Sequence, residues 1–436
     1  MSLRGVHLPY RKATGSKTIE PMSLPDMVVL PLRQHTGASC EPVVSKGDEV
    51  LAGQIIGKST SLTSAQVHAS ISGIVKRVSG GLTPAGYLAD QVVIERDKKD
   101  RWVKLKESDP TDLGGKEIID KIKDAGVVDS GVAALPAHVK LIPPTDRPVD
   151  TLIVNGAEWE PGITCDHRLM LERGEDIIKG VEITMMALGV NRAIVGIERH
   201  RTDAIAKIRE IASGSEADID VVKLKMGYPQ GAEKILVYSL LRREVPIGGS
   251  PLDRGAIVLN VGTLRAIYEA VRFGKPMVER VVTVTGAIRE PKDLSVRIGT
   301  KMKDAISACG GYLGEPGKVI NGGPMTGIAQ PNDEVPIIKG TSAVLVQSGK
   351  EVDRWEREER PCIKCGSCID HCPVGLMPLM IVAYAKKGRF EECNDYSIMN
   401  CFECGCCSYV CPSNIPLVHW IQYGKNEIAK RGGEEG

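Results

Sequence analysis

Apolar residues along this chain change period several times, and the changes mark out its parts. Between residues 111 and 270, short Val/Ile/Leu runs alternate with stretches in which apolar residues recur every three to four positions. The runs at 150–154, 192–197 and 220–224 predict buried strands, and the periodic stretches at 116–125, 177–188, 202–212 and 231–241 predict helices. Strands alternating with helices imply a parallel α/β sheet of Rossmann-like type. Ligands of such sheets bind outside the carboxyl ends of the strands. Residues 155–160 and 196–198 stand at those ends.

The flanking segments follow other rhythms. The first 25 or so residues are rich in Pro, Lys, Arg and Ser and read as an extended arm. From residue 27 to about 96, short β-runs are separated by glycine turns such as Lys46-Gly47-Asp48, a pattern similar to a lipoyl-like barrel-sandwich. No lysine there is marked out for lipoylation. Short strands return at 281–285, 319–320 and 343–346 around one helix at 302–309, which reads as a small mixed α+β module. The charge run 351–360 reads as a solvated linker helix. A helical stretch follows at 378–387, and the tail beyond Lys430 is polar and expected to fray.

Composition narrows the class. At 436 residues the length fits several domains, and the formal charge of +1 argues against a nucleic-acid-binding protein. The start of the chain lacks a signal-peptide pattern, and no apolar run approaches the roughly 18–20 residues of a spanning helix. With only three phenylalanines, the cores must rest on Val, Ile and Leu.

The decisive chemistry lies near the end. Cys362-Ile-Lys-Cys365-Gly-Ser-Cys368-Ile-Asp-His-Cys372-Pro is followed by Cys401-Phe-Glu-Cys404-Gly-Cys-Cys407-Ser-Tyr-Val-Cys411-Pro, with 28 residues between Cys372 and Cys401. Both read C-x2-C-x2-C-x3-C-P, the spacing of two-cluster bacterial ferredoxins, in which the fourth cysteine ligates the other cluster. The expected ligand sets are therefore crossed: Cys362, Cys365, Cys368 and Cys411 for one [4Fe-4S] cluster, and Cys372, Cys401, Cys404 and Cys407 for the other. A structural zinc site has no need of three cysteines in seven residues, and disulfide frameworks belong to small secreted domains. Iron–sulfur ligation implies a reducing, cytoplasmic setting. Cys40, Cys165, Cys309 and Cys393 follow no such pattern, and Cys406, inside the second motif but off its spacing, reads as a packing residue.

Several segments together resemble the RnfC family. They are Gln34-His-Thr-Gly-Ala38, Asn155-Gly-Ala-Glu158-Trp-Glu160-Pro161, Cys165-Asp-His-Arg-Leu-Met170, Tyr228-Pro-Gln-Gly-Ala-Glu233-Lys234, Gly322-Gly-Pro-Met325 and the doubled cysteine motif. The resemblance implies four parts: an arm and barrel-sandwich over 1–105, an α/β domain of FMN/NADH type over 106–272, a β-grasp (SLBB-like) module over 273–348 and a helical two-cluster domain over 349–436. It implies a peripheral subunit on the cytoplasmic face of an Rnf ion-translocating complex, held to the membrane by partners, with ferredoxin or NADH as electron partner. Lys140, Asn155, Glu158, Glu160, Glu233 and Asn260 match its FMN/NADH positions.

One segment departs from the family. Where a glycine-rich G-x-G-G-A-G-F-P-T stretch is expected, this chain has Asp129-Ser-Gly-Val132-Ala-Ala-Leu135-Pro-Ala-His-Val-Lys140. Asp129 and Val132 replace glycines, Leu135 replaces an aromatic residue, and Trp159 fills a position that is usually small. A carboxylate is unfavourable beside a phosphate, and a β-branched side chain obstructs a bare backbone. The sequence thus supports a relay through two clusters, with its nucleotide site eroded, over direct NADH oxidation on FMN. A soluble electron-transfer protein serving a dedicated reductase has the same motifs.

Overall fold

The computed structural model describes residues 4–9, 12–130, 134–355 and 358–434. Val132 lies outside them.

The barrel-sandwich is built from two small antiparallel sheets. One runs Met27–Pro31, Leu88–Arg96, Gly73–Leu82, Glu49–Val50; the other runs Glu41–Pro42, Ile55–Lys58, Val67–His68. Period-2 alternation decides which side chains face in: Val75 is buried while its neighbour Ile74 points outward. Val28, Leu30, Ile56, Ile71, Val92 and Ile94 fill the space between the sheets.

The central sheet is wholly parallel, in the order Asp218–Leu224, Arg192–Glu198, Thr151–Gly156, Ala256–Asn260. By sequence that is 3-2-1-4, so the winding reverses between Thr151–Gly156 and Ala256–Asn260. A crevice must open there, because the connections from those two strands leave in opposite directions. Leu152 and Val154 face the core under helices Gly174–Leu188 and Val261–Phe273, while Ile153 joins Leu236 and Val237 of helix Glu233–Leu241 on the other face. The first two helices pack very closely: a Cβ on Gly180 would lie 2.0 Å from the carbonyl oxygen of Leu264. Only glycine permits that contact.

A six-stranded mixed sheet follows, ordered Glu20–Pro21, Lys292–Arg297, Glu279–Gly286, Ala343–Ser348, Pro316–Asn321, Ile328–Gln330. Helix Met302–Ala308 covers it through Met302, Ala305 and Ile306. The N-terminal arm supplies the edge strand Glu20–Pro21, so it is integrated into this sheet. Lys339, fully buried, joins three parts: its Nζ donates to the carbonyls of Gln66 and Gly126, 2.6 Å each. Burial lowers its pKa to about 8.

The cysteine domain is helical. Pro378–Ala385, Phe390–Asp395 and Leu417–Glu434 pack around Ile381, Ile398 and Ile421. The tail corrects the sequence reading. It is helical to Glu434, because Leu417 and Ile421 are buried and Ile428 packs against the same core. In the charge run, helix Gly349–Trp355 covers the first half and residues 358–360 are not helical. No helix among the described residues is long and apolar enough to cross a membrane.

Candidate functional site

The two cysteine motifs fold alike. Residue three of each motif is left-handed (Lys364 at φ 57°, Glu403 at φ 61°), as is the glycine two residues on (Gly366 and Gly405, both at φ 77°). These reversals aim peptide N–H groups at the cysteine sulfurs. The peptide N–H of Lys364 donates to Cys362 Sγ at 3.4 Å, and that of Glu403 to Cys401 Sγ at 3.4 Å. Leu376 N–H donates to Cys372 Sγ at 3.3 Å. After each fourth cysteine and its proline the chain turns at Gly375 or Asn414, both left-handed, and enters the helices Pro378–Ala385 and Leu417–Glu434.

Thiols of the two motifs lie near one another across the domain. Burial raises the pKa of Cys407, and Cys401, Cys404 and Cys372 raise it further. Burial also pushes Cys401 up to about 12. Cys368, raised first by burial, also feels Cys411 and Cys362. Cys372, Cys401, Cys404 and Cys407 line one small void with Leu376, Val418 and Ile421. Four soft thiolates with backbone N–H groups aimed at sulfur suit an iron–sulfur cluster. The sets differ in exposure: Cys362 and Cys365 are exposed, whereas Cys372, Cys404 and Cys407 are buried. Cys406 is fully buried beside Val6 and Tyr228.

The buried set abuts a cavity of about 1010 Å³ where all four parts of the chain meet. Arg33, His35 and Tyr87 come from the barrel-sandwich, Asn321 and Met325 from the β-grasp module, and Phe402, Glu403, His419 and Gln422 from the cysteine domain. The α/β domain contributes the crevice at its switch point. Of the six residues matched to FMN/NADH positions, Asn155, Glu158, Glu160, Glu233 and Asn260 line the cavity; Lys140 does not.

The structure gives these residues internal partners. Asn155 Nδ2 donates to Gly231 O at 2.9 Å. Glu160 accepts from Met325 N, Thr326 N and Thr326 Oγ1 at 3.2, 2.9 and 2.6 Å, which fixes the β-grasp loop against the strand end; burial raises its pKa. Glu158 is also raised by burial, opposed by Lys12 and Arg201. Its Oε1 accepts from Asp166 N, and its Oε2 pairs with Arg201 at 3.3 Å. Asn260 caps helix Val261–Phe273, its Oδ1 accepting from Gly262 N at 2.8 Å, and its Nδ2 donates to Asp166 Oδ2 at 2.7 Å.

Lys140 and Asp129 form the densest knot. Lys140 Nζ donates to Asp129 Oδ2 at 2.6 Å, Glu233 Oε1 at 2.6 Å and Val258 O at 3.0 Å. Burial opposes its charge, but the two carboxylates together hold it above the usual lysine range. Asp129 Oδ1 accepts from Ser130 N, Asn260 N and Thr263 Oγ1 at 3.1, 3.1 and 2.7 Å.

Sequence reasoning missed the link between cavity and cysteines. The rings of Trp159 and Tyr228 pack at 4.7 Å, tilted 47° to each other, and Tyr228 Oη donates to the carbonyl of Cys404 at 2.5 Å. Lys234 Nζ reaches Asn400 Oδ1 at 2.5 Å. The available signal was Gly231: a Cβ there would lie 2.0 Å from the Trp159 ring, so the large residue at 159 has a small partner.

The geometry defines a class: a multidomain iron–sulfur protein whose clusters adjoin a nucleotide-type α/β fold. Sequence-family models match in the same order. They are the RnfC barrel sandwich hybrid domain at 2–99, the Nuo51 FMN-binding domain at 122–269, the SLBB domain at 281–329 and the 4Fe-4S dicluster domain at 351–415. The chain is 45% identical to the C subunit of the proton-translocating ferredoxin:NAD(+) oxidoreductase complex of Clostridium ljungdahlii, covering 99% of this chain and 94% of that protein. It is 39% identical to the Na(+)-translocating counterpart of Acetobacterium woodii, over 97% and 96% of the two chains. It is 40% identical to the C subunit of the ion-translocating oxidoreductase complex of Rhodobacter capsulatus, over 99% and 84%. The chain belongs to the RnfC family, whose members are subunits of ion-translocating oxidoreductase complexes. Among solved structures, an NAD+-reducing [NiFe]-hydrogenase in the H2-reduced state matches at a TM-score of 0.52 and 18% identity, covering 73% of this chain and 62% of that one; the likeness shows shared fold.

Proposed function

We propose that this chain is the peripheral RnfC subunit of an Rnf-type complex on the cytoplasmic face of the membrane, relaying electrons between a ferredoxin:NAD-type donor or acceptor and the membrane subunits. Cys362, Cys365, Cys368 and Cys411 hold one [4Fe-4S] cluster, and Cys372, Cys401, Cys404 and Cys407 hold the other. When bound, such clusters accept and release single electrons. The observation that carries this reading is the asymmetry of the two four-thiol sets, one exposed at Cys362 and Cys365 and one buried against the cavity. An electron passed inward from a protein partner meets the exposed set first. The motif turns aim backbone N–H groups at sulfur and stabilise the more negative, reduced state. Phe402 lines both the void shared by the buried thiols and the large cavity, and Trp159 lines the cavity beside it. The names of the C. ljungdahlii and A. woodii relatives supply the partners: ferredoxin, NAD(+) and the other subunits of an ion-translocating complex.

The test is anaerobic purification with iron and acid-labile sulfide assays, followed by EPR after dithionite reduction. Two interacting cubane signals are expected. Cys407→Ala should remove one signal and leave the set containing Cys362. A chain with no labile sulfide, or a single cluster in the wild type, sinks the reading.

A further inference from the structure

The nucleotide-type domain carries its own anion where a ligand phosphate would sit. The crevice at the switch point ends at the N-terminus of the 13-residue helix Val261–Phe273, a place where free N–H groups and the helix dipole ordinarily attract phosphate. In this chain Asp129 occupies that end. Its Oδ1 takes the N–H of Asn260 and the hydroxyl of Thr263, and its Oδ2 takes Lys140. An ammonium group has three donors, and those of Lys140 go to Asp129, Glu233 and Val258 O. The lysine does not line the cavity. The Asp129–Lys140–Glu233 triad sets two carboxylates against one ammonium, a net charge of −1. Among the described residues the site does not fit the phosphate of FMN: the donors at this helix end are taken, and two carboxylates against one ammonium repel it.

We infer that Asp129 is the specificity-determining residue of this domain. It acts as a resident carboxylate that excludes phosphate-bearing flavins and leaves the two clusters as the chain's electron carriers. The domain keeps its fold because the carboxylate satisfies the same helix end that a phosphate would satisfy. With no ligand bound, the carboxylate gives Lys140 one of its partners and takes the Asn260 N–H and the Thr263 hydroxyl at the helix start. The inference deepens the relay reading and rests on it for the electron route. Labile sulfide tests that route; flavin content and flavin affinity test Asp129.

The experiment uses the full chain with its clusters loaded. Flavin released by acid is measured per chain, and FMN and riboflavin are titrated separately by calorimetry; the difference between them isolates the phosphate. The wild type is expected to release no flavin and to bind FMN no more tightly than riboflavin. In Asp129→Gly the Asn260 N–H, the Thr263 hydroxyl and Lys140 become available. FMN is then expected to bind at least about tenfold more tightly than riboflavin, the effect of one charge-assisted hydrogen bond. Stoichiometric flavin in the wild type, a tenfold preference of the wild type for FMN, or no FMN preference in a folded Asp129→Gly protein each overturns the inference. Cluster absorbance reports whether the variant has folded. If that absorbance is lost, the wild-type comparison of FMN with riboflavin decides alone.

Discussion

Asp166 shows how much of this site depends on distant partners. It borders the cavity, accepts from Asn260 and is held near pKa 7, first by burial and then by Glu158. An acid raised from 3.8 to about 7 keeps a proton in the folded state that the unfolded chain has lost. Its contribution to stability is complete below the unfolded value and disappears as pH rises through about 7. Asp166→Asn keeps the acceptor and removes the titration. The melting temperature of the wild type, measured relative to this variant, is expected to fall as pH goes from roughly 5 to 8; a constant difference across that range contradicts the assignment. The cysteine motifs were readable because their spacing is local. Lys140, Glu160 and Asn155 were readable only as polar residues near strand ends. Their partners Glu233, Thr326 and Gly231 lie 93, 166 and 76 positions away.

At the scale of elements, the alternating strands and helices of the central domain followed from hydrophobic period. Strands over 151–156 and 192–198 and the helix over 202–212 appear within a few residues of expectation. Strand Lys292–Arg297 was missed because Lys-Asp-Leu-Ser-Val-Arg has little apolar content, and pairing with Glu279–Gly286 makes it a strand. Helix Cys165–Glu172 was missed for a similar reason: its buried side is completed by helices Thr202–Ala212 and Val261–Phe273. The cysteine turns offer a paired test. Gly366 and Gly405 share φ 77°, so alanine strains both alike, by roughly 1–2 kcal/mol. A Cβ on Gly366 meets open space, whereas one on Gly405 comes within 3.0 Å of Met325 O. Gly405→Ala is expected to lower both melting temperature and iron content more than Gly366→Ala. Equal losses would mean that the docking of the second motif on the Met325 loop is unimportant.

For the whole molecule, the significant fact is where the parts meet. The β-grasp loop, the α/β strand ends and the second cysteine motif enclose one cavity, and the N-terminal arm braces it by pairing Val6 with Tyr228. Tyr228 touches the cysteine domain through the Cys404 carbonyl. Tyr228→Phe removes a donor from the backbone of one proposed ligand set and none from the other. The potential of the buried cluster is expected to drop by roughly 40 mV, the one-electron equivalent of a hydrogen bond of about 1 kcal/mol. The exposed cluster should be unchanged in an EPR-monitored redox titration. Equal shifts in both clusters, or none, would remove Tyr228 from the buried set.

The sequence by itself determined the two cysteine motifs, the α/β core and the departure at Asp129, because motif spacing, hydrophobic period and residue charge are properties of neighbouring positions. Tertiary structure alone decided what Asp129 and Lys140 do. Their ion pair is local, but the bonds Asp129 accepts from Asn260 and Thr263, and the one Lys140 gives to Val258 O, join segments more than a hundred residues apart at one switch point. It also decided which cysteine set is buried, because exposure depends on how the last domain docks on Tyr228 and Met325.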